Sequence, residues 1–192
     1  MIAPIERYLA DLPAGLDSYP ECQVKGSAFR SSLEVLGPEE AEQLPFARGY
    51  LESGVLPSAW YSEVHFAVLV LATRARYASE AALLDRIFEA NLEMFRSKLY
   101  YRLMAFLTPA GLLKRGATNW AQFHRGSHFA VSAIGERDAQ ATLEFPKHLF
   151  TTLHARMFAK AFEAALVFNG AKDAKLDVEG IDATVVRYRA SW

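Results

Sequence analysis

Residues 119–129, NWAQFHRGSHF, hold the densest group of potentially functional side chains, with two histidines, an arginine, a tryptophan and two phenylalanines. Histidines can bind a metal ion or transfer a proton. Gly126 lies between His124 and His128, however, and glycine commonly ends a helix, so the two imidazoles would not share one helical face. The segment is therefore predicted to be a helix-to-strand junction, in which His124 and Arg125 interact with the carbonyls of the helix C-terminus. A metal or catalytic site is the alternative.

The remaining histidines lack a supporting partner in the sequence. His65 interrupts an apolar stretch just after Trp60-Tyr61, and a buried imidazole needs either a hydrogen-bond partner or a ligand. We predict a hydrogen-bonded core histidine, with a haem or metal ligand as the alternative. His148 and His154 would point about 240° apart on a helix, so they would not share a ligand.

Common catalytic signatures are absent from the sequence. It contains no Gly-x-Ser-x-Gly, no Gly-x-Gly-x-x-Gly and no phosphate loop ending in Gly-Lys-Ser or Gly-Lys-Thr. Cys22 is the only cysteine, which excludes an intrachain disulfide and any multi-cysteine zinc or iron-sulfur site. We expect a protein that is not an enzyme and has no cofactor and no metal site. An enzyme whose site assembles only in space is a less favoured alternative.

Composition limits the partners. The 192 residues include 21 basic and 22 acidic side chains, for a formal net charge of −1. A chain of this length can bury the core of one domain. Without a positive field to gather phosphates, nucleic acid is not a predicted partner. The N-terminus lacks the features of a signal peptide, and the most apolar window, residues 65–72, is too short to span a membrane. These features predict a cytoplasmic protein without a transmembrane segment.

Proline and glycine divide the first half of the chain into helices. Residues 1–20 are predicted to be an N-terminal arm, because three prolines and a glycine surround one short amphipathic turn, and residues 21–192 to be a single domain. Apolar spacing, caps and stops predict helices at 28–36, at 39–50 with an interruption near Pro45, from Ser62 through Leu71, at 79–107, and from Pro109 to about His124.

After Gly126 the spacing of the apolar residues changes from a helical pattern to the alternation of a β-strand. Alternating apolar residues at 129–133 and 141–145 predict a β-hairpin with a turn at 135–138. A broad apolar stripe predicts a long helix at 149–168, stopped by Asn169-Gly170. Alternation at 175–192 predicts a second hairpin, with its turn at Glu179-Gly180. The fold class is thus α+β: a helical N-terminal half, then β-hairpin, long helix and β-hairpin, with helices packed on one face of an antiparallel sheet.

A second apolar seam on the predicted 79–107 helix indicates association. Ile87, Met94 and Tyr101 recur at seven-residue intervals beside the main stripe. A helix that is apolar on more than one side is enclosed by its own domain or shared with another chain. We predict a homodimer or a hetero-complex, with Met94 and Tyr101 near the contact.

An ordered set of short motifs carries a family resemblance. These motifs are VKGS at 24–27, Phe29-Arg30, Gly37-Pro38, Trp60-Tyr61 and the run from Leu112-Leu113 through Trp120 to Gly126. From about Val24 onward, the set resembles an uncharacterised, largely myxobacterial family. Ser62 departs from that family, which often has proline there.

The myxobacterial family is in turn similar to a superfamily that unites haem-nitric-oxide-binding domains, 4-vinyl-reductase-like ligand domains and small subunits of the TRAPP tethering complex. The resemblance implies a fold that suits the predicted order of elements. The Tyr-x-Ser-x-Arg element that holds haem propionates in haem-nitric-oxide-binding domains is absent from this sequence. Haem is therefore not carried over.

The predicted function is a non-catalytic binding or scaffolding module, with a regulatory role, for a protein partner or an apolar small molecule. A haem or metal-dependent sensor that uses His65 or His124 is the alternative. The residues predicted to bind the ligand or partner are Trp60, Tyr61, His65, Met94, Tyr101, Trp120 and Phe123.

Overall fold

The computed structural model describes residues 3–36, 38–96 and 108–192. Its helices are α1 (Ala3–Ala10), α2 (Gly26–Glu34), α3 (Pro38–Gln43), α4 (Pro45–Ser53), α5 (Glu63–Arg74), α6 (Glu80–Arg96), α7 (Pro109–Lys114), α8 (Gly116–Ala121) and α9 (Thr152–Phe168). Its strands are β1 (Gln23–Lys25), β2 (Trp60–Ser62), β3 (His124–Arg125), β4 (His128–Ile134), β5 (Asp138–Glu144), β6 (Lys175–Ile181) and β7 (Val185–Ser191). The α+β class is confirmed, and so is the order of hairpin, long helix and hairpin.

The two hairpins form one four-stranded antiparallel sheet of order β4-β5-β7-β6. A bulge after Val131 shifts the register, so Ala133 is exposed, and its predicted place on the face of Phe129 is wrong. The predicted turn at Glu179-Gly180 is also wrong, because β6 continues through that pair with a bulge. The chain turns instead at Asp182, whose Oδ1 accepts hydrogen bonds from the backbone N–H groups of two residues, Thr184 and Val185.

A second, three-stranded antiparallel sheet of order β2-β1-β3 was not predicted. Its strands span two or three residues, too few to show an alternation of apolar and polar side chains. The single helix predicted to reach His124 is wrong. Instead, α7 ends at Lys114, α8 ends at Ala121, and His124 lies in β3, opposite Val24 of β1.

Two predicted helix starts are confirmed by their caps. The Ser62 hydroxyl accepts a hydrogen bond from the backbone N–H of His65, 3.3 Å away, at the start of α5. The Thr108 hydroxyl does the same for Gly111 at 3.1 Å, with Pro109 at the first position of α7. Each cap satisfies a backbone donor that the helix itself leaves unpaired.

The core lies where α9 packs on the four-stranded sheet and where α5 packs against α9, the neighbouring helices and the small sheet. Most of α5 is buried, as its apolar composition predicts, and α9 packs against both α6 and β6. In α1, Ile5 is fully buried, and the Tyr8 hydroxyl donates to the carbonyl of Leu149 at 2.9 Å. The division between an arm at 1–20 and a domain at 21–192 stays a prediction.

The predicted 79–107 helix is described as α6 up to Arg96, the last residue before the part of the chain that is not described, and Tyr101 lies outside the described residues. Met94 is half-buried on α6. Within the described ranges, no helix combines the length and apolar character that a membrane span requires.

Candidate functional site

The small sheet places two distant residues side by side. Strand β1 pairs with β2 on one side and with β3 on the other, so Val24 lies between Tyr61 and His124. Glu63 follows β2 directly as the first residue of α5, and its backbone N–H donates to the carbonyl of Cys22 at 3.0 Å. This pairing brings Glu63 next to His124, although 61 residues separate them in the chain.

Glu63 and His124 form a buried pair. The Nδ1 atom of His124 lies 3.1 Å from Oε2 and 3.2 Å from Oε1 of Glu63. The Glu63 side chain has no solvent exposure, and that of His124 is 8% exposed. An ionised carboxylate only accepts hydrogen bonds, so Nδ1 carries the hydrogen and donates it. Because an unpaired buried charge is strongly unfavourable, the imidazole is what allows Glu63 to be buried.

Aromatic rings hold the imidazole in place. Trp120 stacks on His124 with centroids 3.9 Å apart and planes 13° apart, and Phe158 meets it nearly edge-on at 5.4 Å. The indole is itself fixed, because its Nε1 donates to the Ser127 hydroxyl at 3.0 Å. The ring of His124 is thus oriented by a carboxylate at one nitrogen and by packing on its face and edge.

The second ring nitrogen of His124 is available for chemistry. Among residues 3–36, 38–96 and 108–192, Nε2 of His124 has no hydrogen-bond partner. A neutral imidazole that donates from Nδ1 to a carboxylate presents an acceptor lone pair at Nε2, an arrangement typical of metal-binding histidines. The same part of the chain contains no cluster of three or more His, Cys, Asp or Glu suited to a metal ion. A metal bound by His124 would therefore bring most of its ligands with it.

The turn after His124 is sterically constrained. Gly126 has a φ of +76°, and a Cβ there would lie 2.5 Å from Sγ and 2.8 Å from Cα of Cys22. The predicted helix-to-strand junction is wrong, because His124 and Arg125 lie in strand β3 and not at a helix C-terminus, although Gly126 does turn the chain into β4. Burial, with smaller contributions from the charges of Glu21 and Glu63, raises the pKa of the Cys22 thiol to about 12. A thiol with that pKa is a poor nucleophile at neutral pH.

His65 has the hydrogen-bond partner that a core histidine needs. Its Nδ1 lies 2.9 Å from the hydroxyl of Tyr50, and Phe46 stacks on its ring at 4.4 Å. Burial lowers the pKa of His65. The lowered pKa favours a neutral imidazole, and the hydrogen bond to Tyr50 ties α4 to α5.

The other predicted binding residues occupy separate places. Tyr61 stacks on Phe29 at 5.0 Å, and its hydroxyl accepts a hydrogen bond from the backbone of Leu56. Trp60, its neighbour in β2, contacts two cationic side chains instead. Phe123 is half-buried in the turn before β3, where its carbonyl accepts from the backbone N–H of Lys25 at 2.7 Å. Trp120, one of the predicted binding residues, thus contacts His124 of the Glu63–His124 pair.

Glu63 is the residue that sequence reasoning missed. Its only local signal was an acidic side chain directly after the cap Ser62, where a carboxylate is favourable at a helix N-terminus. A helix N-terminus favours a glutamate whether its side chain is exposed or buried, so this signal did not predict that Glu63 is buried. Nothing in the sequence links Glu63 to His124, because their contact depends on the pairing of three short strands.

No family model matches the chain, and no curated protein matches it. Solved structures do match. A mutant H-NOX protein from K. algicida, in the unliganded Fe(II) state, is 12% identical, with 87% of this chain and 95% of that chain covered and a TM-score of 0.58. A Cs H-NOX mutant is 10% identical over 86% of this chain and 92% of that chain, with a TM-score of 0.55. A mutant of T. tengcongensis H-NOX is 10% identical over 86% and 93%, with a TM-score of 0.54.

Identities this low show the fold alone. The resemblance to a myxobacterial family and to TRAPP subunits stays a prediction, since none of these matches bears on it. The wider expectation, a haem-nitric-oxide-binding type of fold, is confirmed. The chain has the α+β fold of H-NOX domains, with the Glu63–His124 pair buried at the junction of its small sheet and α5.

Proposed function

We propose that this protein is a ligand-binding sensor domain in which His124, oriented by Glu63, would hold the iron of a haem. One observation carries the proposal: Nδ1 of His124 is held by a buried carboxylate, while Nε2 has no hydrogen-bond partner in the described part of the chain. This is the sensor alternative of the sequence analysis, with His124 favoured over His65 because Tyr50 already engages Nδ1 of His65 without a carboxylate.

The fold comparisons support a haem sensor over a scaffold. Among the matching structures, one concerns the function of haem distortion in the H-NOX family, and another is an H-NOX protein in the unliganded Fe(II) state. These descriptions apply to the matching proteins themselves. They make haem the first ligand to test here, despite the expectation from sequence that no cofactor is bound.

The donor chemistry of His124 would suit a haem iron. A carboxylate that accepts from Nδ1 fixes the ring and makes Nε2 more basic, which strengthens a bond to iron. Trp120 and Phe158 surround the imidazole with apolar surface. Bound haem would supply an iron able to take a diatomic ligand, as in other histidine-ligated haem proteins. Since the Tyr-x-Ser-x-Arg element is absent, any propionate contacts would use other residues.

A haem titration with matched variants tests the proposal. Wild-type protein should develop a Soret band that saturates near one equivalent of haem. His124→Ala should lose the band and regain it when free imidazole is added, because imidazole can replace the missing ligand. His65→Ala and the surface variant His128→Ala should bind as wild type does. The absence of a Soret band in wild type, or an unchanged band in His124→Ala, would refute the proposal, provided that circular dichroism shows folded protein.

The second candidate is the haem-free module, without catalytic activity, for a protein partner or an apolar small molecule. Phe129 and Phe162 stack at 4.6 Å between the sheet and α9, so aromatic rings fill this part of the interior. The open groove of about 620 Å³ between α6, α9 and β6 is lined by charged as well as apolar residues. Its Arg156 and Lys160 are paired with Glu80 and Glu163, which suits a protein surface better than an apolar ligand.

Self-association belongs to this second candidate. Met94 is half-buried on α6, so part of its side chain remains available to a homodimer or a hetero-complex. Light scattering of the purified protein at micromolar concentration measures the mass directly. A dimer that Met94→Glu dissociates supports the contact, and a monomer at all concentrations excludes the homodimer.

A further inference from the structure

The outer face of the small sheet carries a group of side chains that the haem site does not use. Side chains alternate along a strand, so Val24 and His124 point inward and are buried. Lys25, opposite Trp60, and Arg125, next to His124, belong to the other face. We call the face formed by Lys25, Trp60 and Arg125 the Trp60 face.

Both cations lie over one indole ring. The Nζ atom of Lys25 is 4.4 Å from the ring centroid of Trp60, and the guanidinium carbon of Arg125 is 3.8 Å from it. The ring attracts each cation through its negative face. Two positive charges that share one ring also repel each other, so an anion placed between them would lower their electrostatic energy.

Neither cation has an acidic partner in the part of the chain that the structure describes. Arg125 donates to a neutral group, Oε1 of Gln23, at 3.4 Å. Several other exposed cations are paired, including Arg30 with Glu34 at 2.7 Å and Arg156 with Glu80 at 2.6 Å. Because the whole chain has a net charge of −1, the positive charge of the Trp60 face is local.

We propose that the Trp60 face binds a carboxylate-rich segment of a protein partner. Arg and Trp are the side chains most enriched at the energetic centres of protein interfaces, and a guanidinium can bind a carboxylate through two parallel hydrogen bonds. Leu56, in the loop that leads into β2, is 67% exposed and adds apolar surface nearby in the chain. The proposal is independent of haem, since His124 projects from the opposite face of the same sheet.

Fluorescence anisotropy with a labelled peptide of alternating glutamate and glycine tests this surface. The full chain should bind the peptide saturably, and added salt should weaken the binding because exposed charges are screened. The double variant Lys25→Gln/Arg125→Gln should weaken binding by about tenfold, the combined effect of two exposed charge pairs. The matched control is Arg7→Gln/Lys172→Gln, which removes one arginine and one lysine from exposed positions elsewhere and should leave the affinity within about twofold.

Several outcomes would overturn the proposal. One is the absence of saturable binding by the wild-type chain. Another is an equal loss of peptide affinity in the two double variants. A third is that wild type binds a peptide with glutamine in place of glutamate as tightly as it binds the glutamate peptide. Tighter binding of an oligonucleotide or of anionic phosphatidylserine vesicles than of the peptide would show that the face recognises phosphate instead. Melting curves of both double variants establish that they fold as wild type does.

Discussion

Replacing His124 with phenylalanine tests the buried pair most directly. Phenylalanine keeps an aromatic ring to stack on Trp120, 3.9 Å away in the wild type, but it removes the Nδ1–H group. The carboxylate of Glu63, with no solvent exposure, then loses its side-chain donor. Removing one partner of a buried pair destabilises a protein by about 3–5 kcal/mol, because the other charge stays buried and unpaired. We therefore expect His124→Phe to lower the free energy of unfolding by about 3–5 kcal/mol.

Two further variants complete a double-mutant cycle. In Glu63→Gln, the amide oxygen can still accept from Nδ1 of His124, so we expect a loss of only about 1 kcal/mol. The apolar double variant Glu63→Leu/His124→Phe leaves no buried charge behind. Its loss should be far smaller than the sum of the losses for Glu63→Leu and His124→Phe, because replacing both partners of a buried pair is often close to neutral.

Urea unfolding at pH 7, followed by circular dichroism, gives the free energy of unfolding of each variant. His128→Phe is the control, because His128 is exposed at the start of β4, and it should stay within about 0.5 kcal/mol of wild type. A loss below about 1 kcal/mol for His124→Phe, or additive losses in the cycle, would refute a buried pair that stabilises the fold.

Four further outcomes are expected. Burial lowers the pKa of His154 from 6.5 to about 4, so the unfolded chain binds more protons than the folded chain between these pH values. The free energy of unfolding should therefore fall by about 3 kcal/mol as the pH drops through this window. In urea unfolding, His154→Leu should show a smaller fall in this free energy over the same pH range. Native Cys22, fully buried, should react with a thiol reagent only when the chain unfolds. Gly126→Ala should lower the melting temperature more than Gly170→Ala, because both glycines have positive φ but only the first would clash. Trp120→Ala, at a ring that is 5% exposed, should destabilise the protein by about 3–5 kcal/mol in the same urea assay.

Much of the fold follows from local patterns that a sequence displays directly. The apolar stripe of α9 extends over 17 residues and ends at Asn169-Gly170, where Gly170 has a φ of +96°. Ser62 and Thr108 mark helix starts because their hydroxyls bond to N–H groups only three residues away. The strands of the two hairpins, seven residues each, are long enough for alternation to show. Each of these signals depends on neighbours within a few residues.

The candidate site could be predicted only in part. Trp120 and His124 attracted attention because they lie close together in an unusual segment. The bulges after Val131 and Val178 could not be foreseen, because an extra residue in one strand is defined by the residues opposite it in the partner strand. The Lys25–Trp60–Arg125 contact was likewise hidden, since its members come from three strands of different regions of the chain.

The sequence by itself determined the α+β class, the positions of the long helices and hairpins, and the absence of a multi-cysteine metal site. Those properties arise from hydrophobic period, capping and composition, which act locally or over the whole chain. Only the tertiary structure decided that His124 pairs with Glu63, because that contact requires strand β1 to align β2 and β3 on either side of Val24. A two-residue strand has no period of its own, so the backbone hydrogen bonds of distant segments, not any local preference, determine which side chains meet there.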